Sequence, residues 1–178
     1  MEKGELAQKI KSISLLQGKF RLRSGKMSSF YWDKYRFESK PDLLEEILEM
    51  MQRLLPASFD KLAAMQLGGV PLATGLSLKT GKPCLYVRKT VKNYGTCNLV
   101  EGGFNHGEKV VVIEDVITTA GQVSSSIGEI RKLNLIIENV ICVIDRQQGG
   151  KENLKRIGCS LHCLFTMEEL DSLTSEKY

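Results

Sequence analysis

One stretch constrains this chain more than any other: residues 110–122, reading VVVIEDVITTAGQ. The β-branched run Val110 to Ile113 predicts a short strand buried on both faces of a parallel sheet, where unbroken apolar runs replace alternation. Glu114 and Asp115 then put two carboxylates side by side at the strand's C-terminal end, before a small-residue turn of Thr118, Thr119, Ala120 and Gly121. Val123, Ile127, Ile130 and Leu133 follow at helical spacing. Strand, small turn and helix N-terminus together favour a bound anion, because unpaired backbone N–H groups and the helix dipole both point at it. In open α/β sheets, ligands bind at these carboxyl ends.

Two carboxylates beside a phosphate would repel it unless they had another task, either holding Mg²⁺ or accepting hydrogen bonds from a sugar diol. An ATPase strand with Mg²⁺-binding acids would need a G-x-x-x-x-G-K-[ST] loop elsewhere. The nearest candidate, Gly75 to Lys82, has the wrong glycine spacing and Pro83 where Ser or Thr belongs. A purely structural strand leaves the adjacent acids at a buried strand end without a reason. The stretch resembles the ribosyl-phosphate-binding motif of type I phosphoribosyltransferases, in which the acidic pair holds the ribose 2′ and 3′ hydroxyls and the turn holds the 5′-phosphate. That resemblance implies donor-binding roles for Glu114, Asp115, Val116, Ile117, Thr118, Thr119, Ala120, Gly121 and Gln122.

With 178 residues, the chain fits a single domain with a real core. A formal charge of +4 is mild, so an anionic partner must be met by local clusters, which argues against a nucleic-acid binder. The charged N-terminus MEKGELAQK predicts no signal peptide, and no apolar stretch approaches a membrane span. Five cysteines without a disulfide-scaffold pattern suit reduced thiols in the cytoplasm. Cys159, His162 and Cys163 lack a second ligand pair nearby, so they do not make a zinc site.

Taken in order, Leu6, Ile10, Ile13 and Leu16 predict an amphipathic helix over 5–16. In KFRLRSGK, residues 19–26, Phe20 and Leu22 alternate with cations, as in a strand with one basic face. This is either a solvated edge or a surface for a phosphate or carboxylate. Residues 28–33, SSFYWD, continue as a second strand whose aromatics would by default pack in the core. Pro41 opens a helix reaching Leu55, and residues 63–67 form a strand closed by Gly68-Gly69. Those glycines either let backbone approach a ligand or only turn the chain. Residues 84–88 are a further strand, ending in Arg88-Lys89. The stretch 90–107, TVKNYGTCNLVEGGFNHG, is a long connection with no clear element, which is either functional or a plain surface loop. After the strand at 140–145, Arg146 leaves for the rim that carries Glu114 and Asp115, unless it only pairs with Asp145. A strand over 161–165 and a short helix from Glu168 close the chain.

Several of these segments resemble orotate phosphoribosyltransferases, from about Phe20 to about Phe165. The 19–33 segment is similar to that family's N-terminal hood, RKTVKNYGT to its catalytic loop R-K-x-x-K-x-[HY]-G, and Asp145 to Gly150 to its D-R-x-x-G-G segment. Tyr94 stands where many members have His, and the Gly68-Gly69 turn lacks the Lys of some members. The resemblance implies an α/β fold: a five-stranded, mainly parallel sheet flanked by helices, with a small hood. It implies one domain over 1–178, with helix and hood to about 40 and the core beyond. It also implies that Lys92, Asp115 and Glu114 are catalytic and that Arg88, Lys89, Lys92 and Tyr94 bind the sugar diphosphate. Orotate would meet Thr118, Arg146, Arg23, Tyr31 and Trp32, with Mg²⁺ held mainly through the diphosphate rather than by protein ligands. The expected partners are orotate, 5-phosphoribosyl 1-diphosphate and a second copy of the chain, whose 88–103 loop serves the neighbouring site. The alternatives are transfer to another base, or a regulator that binds the donor without turnover.

Overall fold

The computed structural model describes residues 1–21, 25–89 and 99–175. The chain begins with helix α1 (Lys3–Ser14), a hairpin of β1 (Leu15–Arg21) and β2 (Met27–Trp32), and the short helix α2 (Tyr35–Glu38). Helix α3 (Pro41–Gln52) starts with proline in its first turn, where a missing N–H removes no bond. Strand β3 (Lys61–Met65), α4 (Gly69–Thr80), β4 (Cys84–Val87) and the two-residue β5 (Val100–Glu101) follow. Then come β6 (Lys109–Ile117), α5 (Gly121–Arg131), β7 (Ile136–Asp145), α6 (Gly150–Arg156), β8 (Ser160–Thr166) and α7 (Met167–Ser175).

The main sheet has six strands in the order β5-β4-β3-β6-β7-β8, parallel except where β5 pairs with β4. The sixth strand corrects the expected count. Val100 and Glu101 fall within the long connection that the sequence predicts over 90–107, since two residues carry no periodicity to detect. On β6, Val111 and Ile113 enter an apolar layer shared with α1, α3 and α4, while Val110 and Val112 enter another shared with α5. This double burial is what the unbroken apolar run required.

Two boundaries bear on the site. The ladder claims Leu15 and Leu16, which pair with Trp32 and Tyr31, so α1 stops short of its periodic pattern. Strand β6 runs on through the acids to Ile117, which pairs with Asp145, instead of ending at Glu114. Adjacent strand residues point to opposite faces. That alternation does not carry through the acids: Val111 and Ile113 lie in one apolar layer and Val110 and Val112 in the other, but beyond the acids Val116 packs on the first layer and Ile117 in the second.

Candidate active site

At the carboxyl ends of β4, β6 and β7 lies a cleft of about 430 Å³. The turn 116–122 forms its floor, Arg88 and Lys89 come from the end of β4, and Arg146 comes from the end of β7. Tyr31 and Trp32 reach it from the hood hairpin, and Glu114 lines it as well. These predicted residues, drawn from four separated segments, share one cavity. Arg23, Lys92 and Tyr94 lie outside the described residues. Asp115 is the exception among the rest: it is fully buried and stands behind the cleft rather than on its wall.

The turn owes its shape to Ala120, which takes the left-handed conformation (φ 58°, ψ 15°) just before α5. No side chain caps that helix, and its first turn carries no acidic residue. Its leading N–H groups are thus unclaimed by a side-chain cap, and no acidic residue of the helix's own first turn competes for them. Asn153 Nδ2 donates to Thr119 O at 2.9 Å, tying the turn to α6. The β6–β7 ladder is prolonged by Arg146 N–H donating to Ile117 O at 2.8 Å, which brings Arg146 to the turn. Asp145 Oδ1 accepts from Gln147 N–H at 2.9 Å, so this carboxylate holds its own chain turn. Arg88 Nε donates to Glu101 Oε1 at 3.1 Å, and Lys89 N–H to Gln66 Oε1 at 3.2 Å.

The Gly68-Gly69 turn was open between a ligand approach and a plain turn. A Cβ on Gly68 would overlap the Asp115 carboxylate, and one on Gly69 would overlap Ile113 O. Both glycines let the start of α4 press on β6, so what they approach is the neighbouring strand and its buried acid.

Asp115 sits in a cluster that sequence reading missed. Lys34 Nζ lies 2.5 Å from Asp115 Oδ2, and Val116 N–H donates to Oδ1 at 2.5 Å. The carboxyls of Glu38 and Glu114 also lie against that of Asp115. Burial pushes the Glu38 carboxyl up, the Asp115 charge adds to this, and it reaches about 9. Glu114 is likewise held well above the usual carboxylate range, by burial and then by Asp115. Burial works against ionised Asp115 too, but hydrogen bonds and charge from Glu114, Lys34 and Glu38 outweigh it and leave Asp115 low. Burial opposes the Lys34 charge, and Asp115 overcomes it, so Lys34 titrates above its ordinary value. Carboxyls crowded together cannot all ionise, and the proton-bearing ones become donors to the one that does.

The fold, with its small-residue turn between β6 and α5, is that of the type I phosphoribosyltransferases. An orotate phosphoribosyltransferase from Nocardioides sp. is 44% identical over 167 residues, covering 94% of this chain and 93% of the relative. Another, from Methanocella arvoryzae, is 40% identical over 93% of this chain and 95% of its own. The solved orotate phosphoribosyltransferase of Aeropyrum pernix matches with a TM-score of 0.84 at 29% identity, covering 97% of this chain and 99% of that one. No family model matches the chain. The chain belongs to the orotate phosphoribosyltransferase family.

Proposed function

We propose that this protein transfers the phosphoribosyl group of 5-phosphoribosyl 1-diphosphate to N1 of orotate, giving orotidine 5′-monophosphate and pyrophosphate on the way to UMP. The observation that carries this reading is the shared cleft, in which an uncapped helix N-terminus meets Arg146 and the hood aromatics. The helix end and Thr118 to Gln122 receive the 5′-phosphate. Glu114 accepts hydrogen bonds from the ribose hydroxyls, with the Asp115 charge held behind it. Arg146 offers a planar fork to the orotate carboxylate, and Tyr31, Trp32, Thr118 and Arg23 complete the pyrimidine's surroundings.

In the reaction the bond from C1′ to the diphosphate oxygen breaks and its electron pair leaves with pyrophosphate, while orotate N1 bonds to C1′. Orotate N1 gives up its proton to solvent as it binds and attacks as an anion, so this reading requires no protein base. Negative charge grows on the leaving group, and in this reading Arg88, Lys89 and Lys92 stabilise it, with Tyr94 as a further ligand of the diphosphate. Asp115 supplies negative charge behind the ribose as it turns cationic, and Glu114 lies between the two. Among the described residues no cluster of His, Cys, Asp or Glu could hold a metal ion. Mg²⁺ belongs in this reading to the substrate, carried on the diphosphate oxygens.

The chain works as one catalytic domain within a homodimer. Apolar side chains stand exposed along α4, β4 and the turn between β3 and α4, with Leu78 83%, Leu67 55% and Tyr86 38% accessible. A second copy would cover them and bring its 88–103 loop to this site. Among the described residues no helix is long and apolar enough to cross a membrane, and Cys84, Cys142, Cys159 and Cys163 are free, which suits a reducing cytoplasm.

Turnover of orotate and the sugar diphosphate, followed by pyrophosphate release, tests the reading; no release from folded protein would refute it. Subunit mixing tests the shared site. Lys92→Ala and Glu114→Gln proteins should each be nearly inactive, whereas an equal mixture should recover roughly a quarter of wild-type activity, because about half the dimers are mixed and each has one intact site. No recovery despite demonstrated exchange would place both residues in one subunit's site.

A further inference from the structure

Helix α2 contributes two charged side chains, one helical turn apart, to a place no site assignment required. Lys34 precedes the helix and Glu38 ends it, and both converge on Asp115. Glu38 is only 8% exposed, and its Oε1 finds no donor. A glutamate buried without donors is costly when ionised, yet with a proton it becomes a donor to the adjacent carboxylate. Asp115 in turn is fully buried under Gly68, where no added atom fits, so its orientation is set by what surrounds it. Those surroundings are Lys34, Glu38, Glu114 and Val116 N–H.

We propose that Glu38, with Lys34, is a positioning residue for phosphoribosyl transfer: its protonated carboxyl donates to Asp115 and keeps that carboxylate, and Glu114 hydrogen-bonded to it, aligned for the sugar donor. This rests on reading the cleft as the donor site. The clamp places a neutral carboxyl, an ammonium and a carboxylate in one buried cluster whose charges cancel, and loss of the Glu38 proton would leave a buried negative charge uncompensated. The helices α1 and α3, which pack on α2, bury apolar residues and Ser14 on their inner sides. The titratable groups acting on the clamp are therefore Asp33, Lys34, Tyr35, Glu114 and Asp115.

The test compares Glu38→Gln, a neutral donor of the same shape, with Glu38→Ala. The alanine variant leaves Asp115 one donor short, and its KM for the sugar diphosphate should rise about tenfold or more while KM for orotate holds. The glutamine variant should stay within about threefold of wild type at neutral pH. A residue of purely structural importance would lower the active fraction, and hence kcat, without this split in KM. Because Glu38 ionises near 9, wild-type activity should decline through that pH, and Glu38→Gln should lack the decline. Melting supplies an arm independent of turnover. A carboxyl raised in the folded state stabilises it at low pH, and that stability is lost as pH rises from the ordinary carboxylate range towards 9. The Tm of Glu38→Gln relative to wild type should therefore climb between pH 6 and pH 9. Glutamine and alanine variants losing activity alike, an alkaline decline that survives Glu38→Gln, or a Tm difference constant with pH would each overturn the proposal. Failure of wild-type turnover with the melting trend intact would instead refute the donor-site reading alone.

Discussion

Replacing Asp115 with asparagine separates two roles that a simple activity assay would merge. Asparagine keeps the acceptor for Val116 N–H but removes the charge opposite Lys34, whose side chain is 33% exposed against 0% for Asp115. Removing one member of a buried pair costs about 3–5 kcal/mol, because the surviving charge stays desolvated. Lys34 keeps some contact with water, so we expect about 2–3 kcal/mol here. For a domain of this size that lowers Tm by ~4–12 °C. Glu114→Gln is the control. Its carboxyl is already biased towards the neutral form, so the amide should shift Tm by no more than about 2 °C. It should still lower kcat/KM by ~10²-fold, or about 2.7 kcal/mol, because an amide NH2 replaces one of the two oxygens that face the ribose hydroxyls. Thermal and urea unfolding at pH 7 would measure the first quantity, and initial rates the second. The pH dependence adds a sign: a depressed carboxylate stabilises the fold above its ordinary value, and that contribution vanishes as pH falls through the lowered one. The gap between wild type and Asp115→Asn should therefore close in acid. An Asp115→Asn protein that melts with wild type, or melts together with Glu114→Gln, would refute the argument that Asp115 is a buried anchor.

Two further substitutions test the cleft from other directions. Arg146→Lys should raise KM for orotate by about tenfold and change donor KM less than twofold, since a point charge replaces a planar fork; a fall in donor affinity alone would put Arg146 at the wrong end. Gly68→Ala should destabilise by about 1–3 kcal/mol and raise donor KM, because the new methyl group must displace the Asp115 carboxylate or the turn; unchanged melting and kinetics would show that the turn yields freely.

The parts of this molecule that were legible in its sequence are those with a period or a spacing. The apolar run of β6 announced a doubly buried strand, and the small residues after it announced the turn that the structure places before α5. Arg88, Lys89 and Arg146 were legible because strand ends converge in a parallel sheet. The side taken by each acid was not legible: strict alternation would place Val116 with Val110 and Val112, whereas it packs on the layer of Val111 and Ile113. Lys34 and Glu38 offered no such signal. Helix α2 is four residues long, too short to show a periodicity, and it meets Asp115 only through tertiary packing. The bias of Ala120 to positive φ was equally hidden, because alanine carries no local preference for that region.

Ala120 also bears on the entropy of binding. Its side chain is 4% exposed and belongs to the apolar layer formed with Val123, Ile127 and Val140. The strained residue that aims the leading N–H groups of α5 is thus fastened to the interior rather than carried on a free loop. The ordering of this turn is completed when the chain folds, so under the proposed reading the donor's phosphate would meet a preorganised receptor and cost little additional backbone freedom on binding.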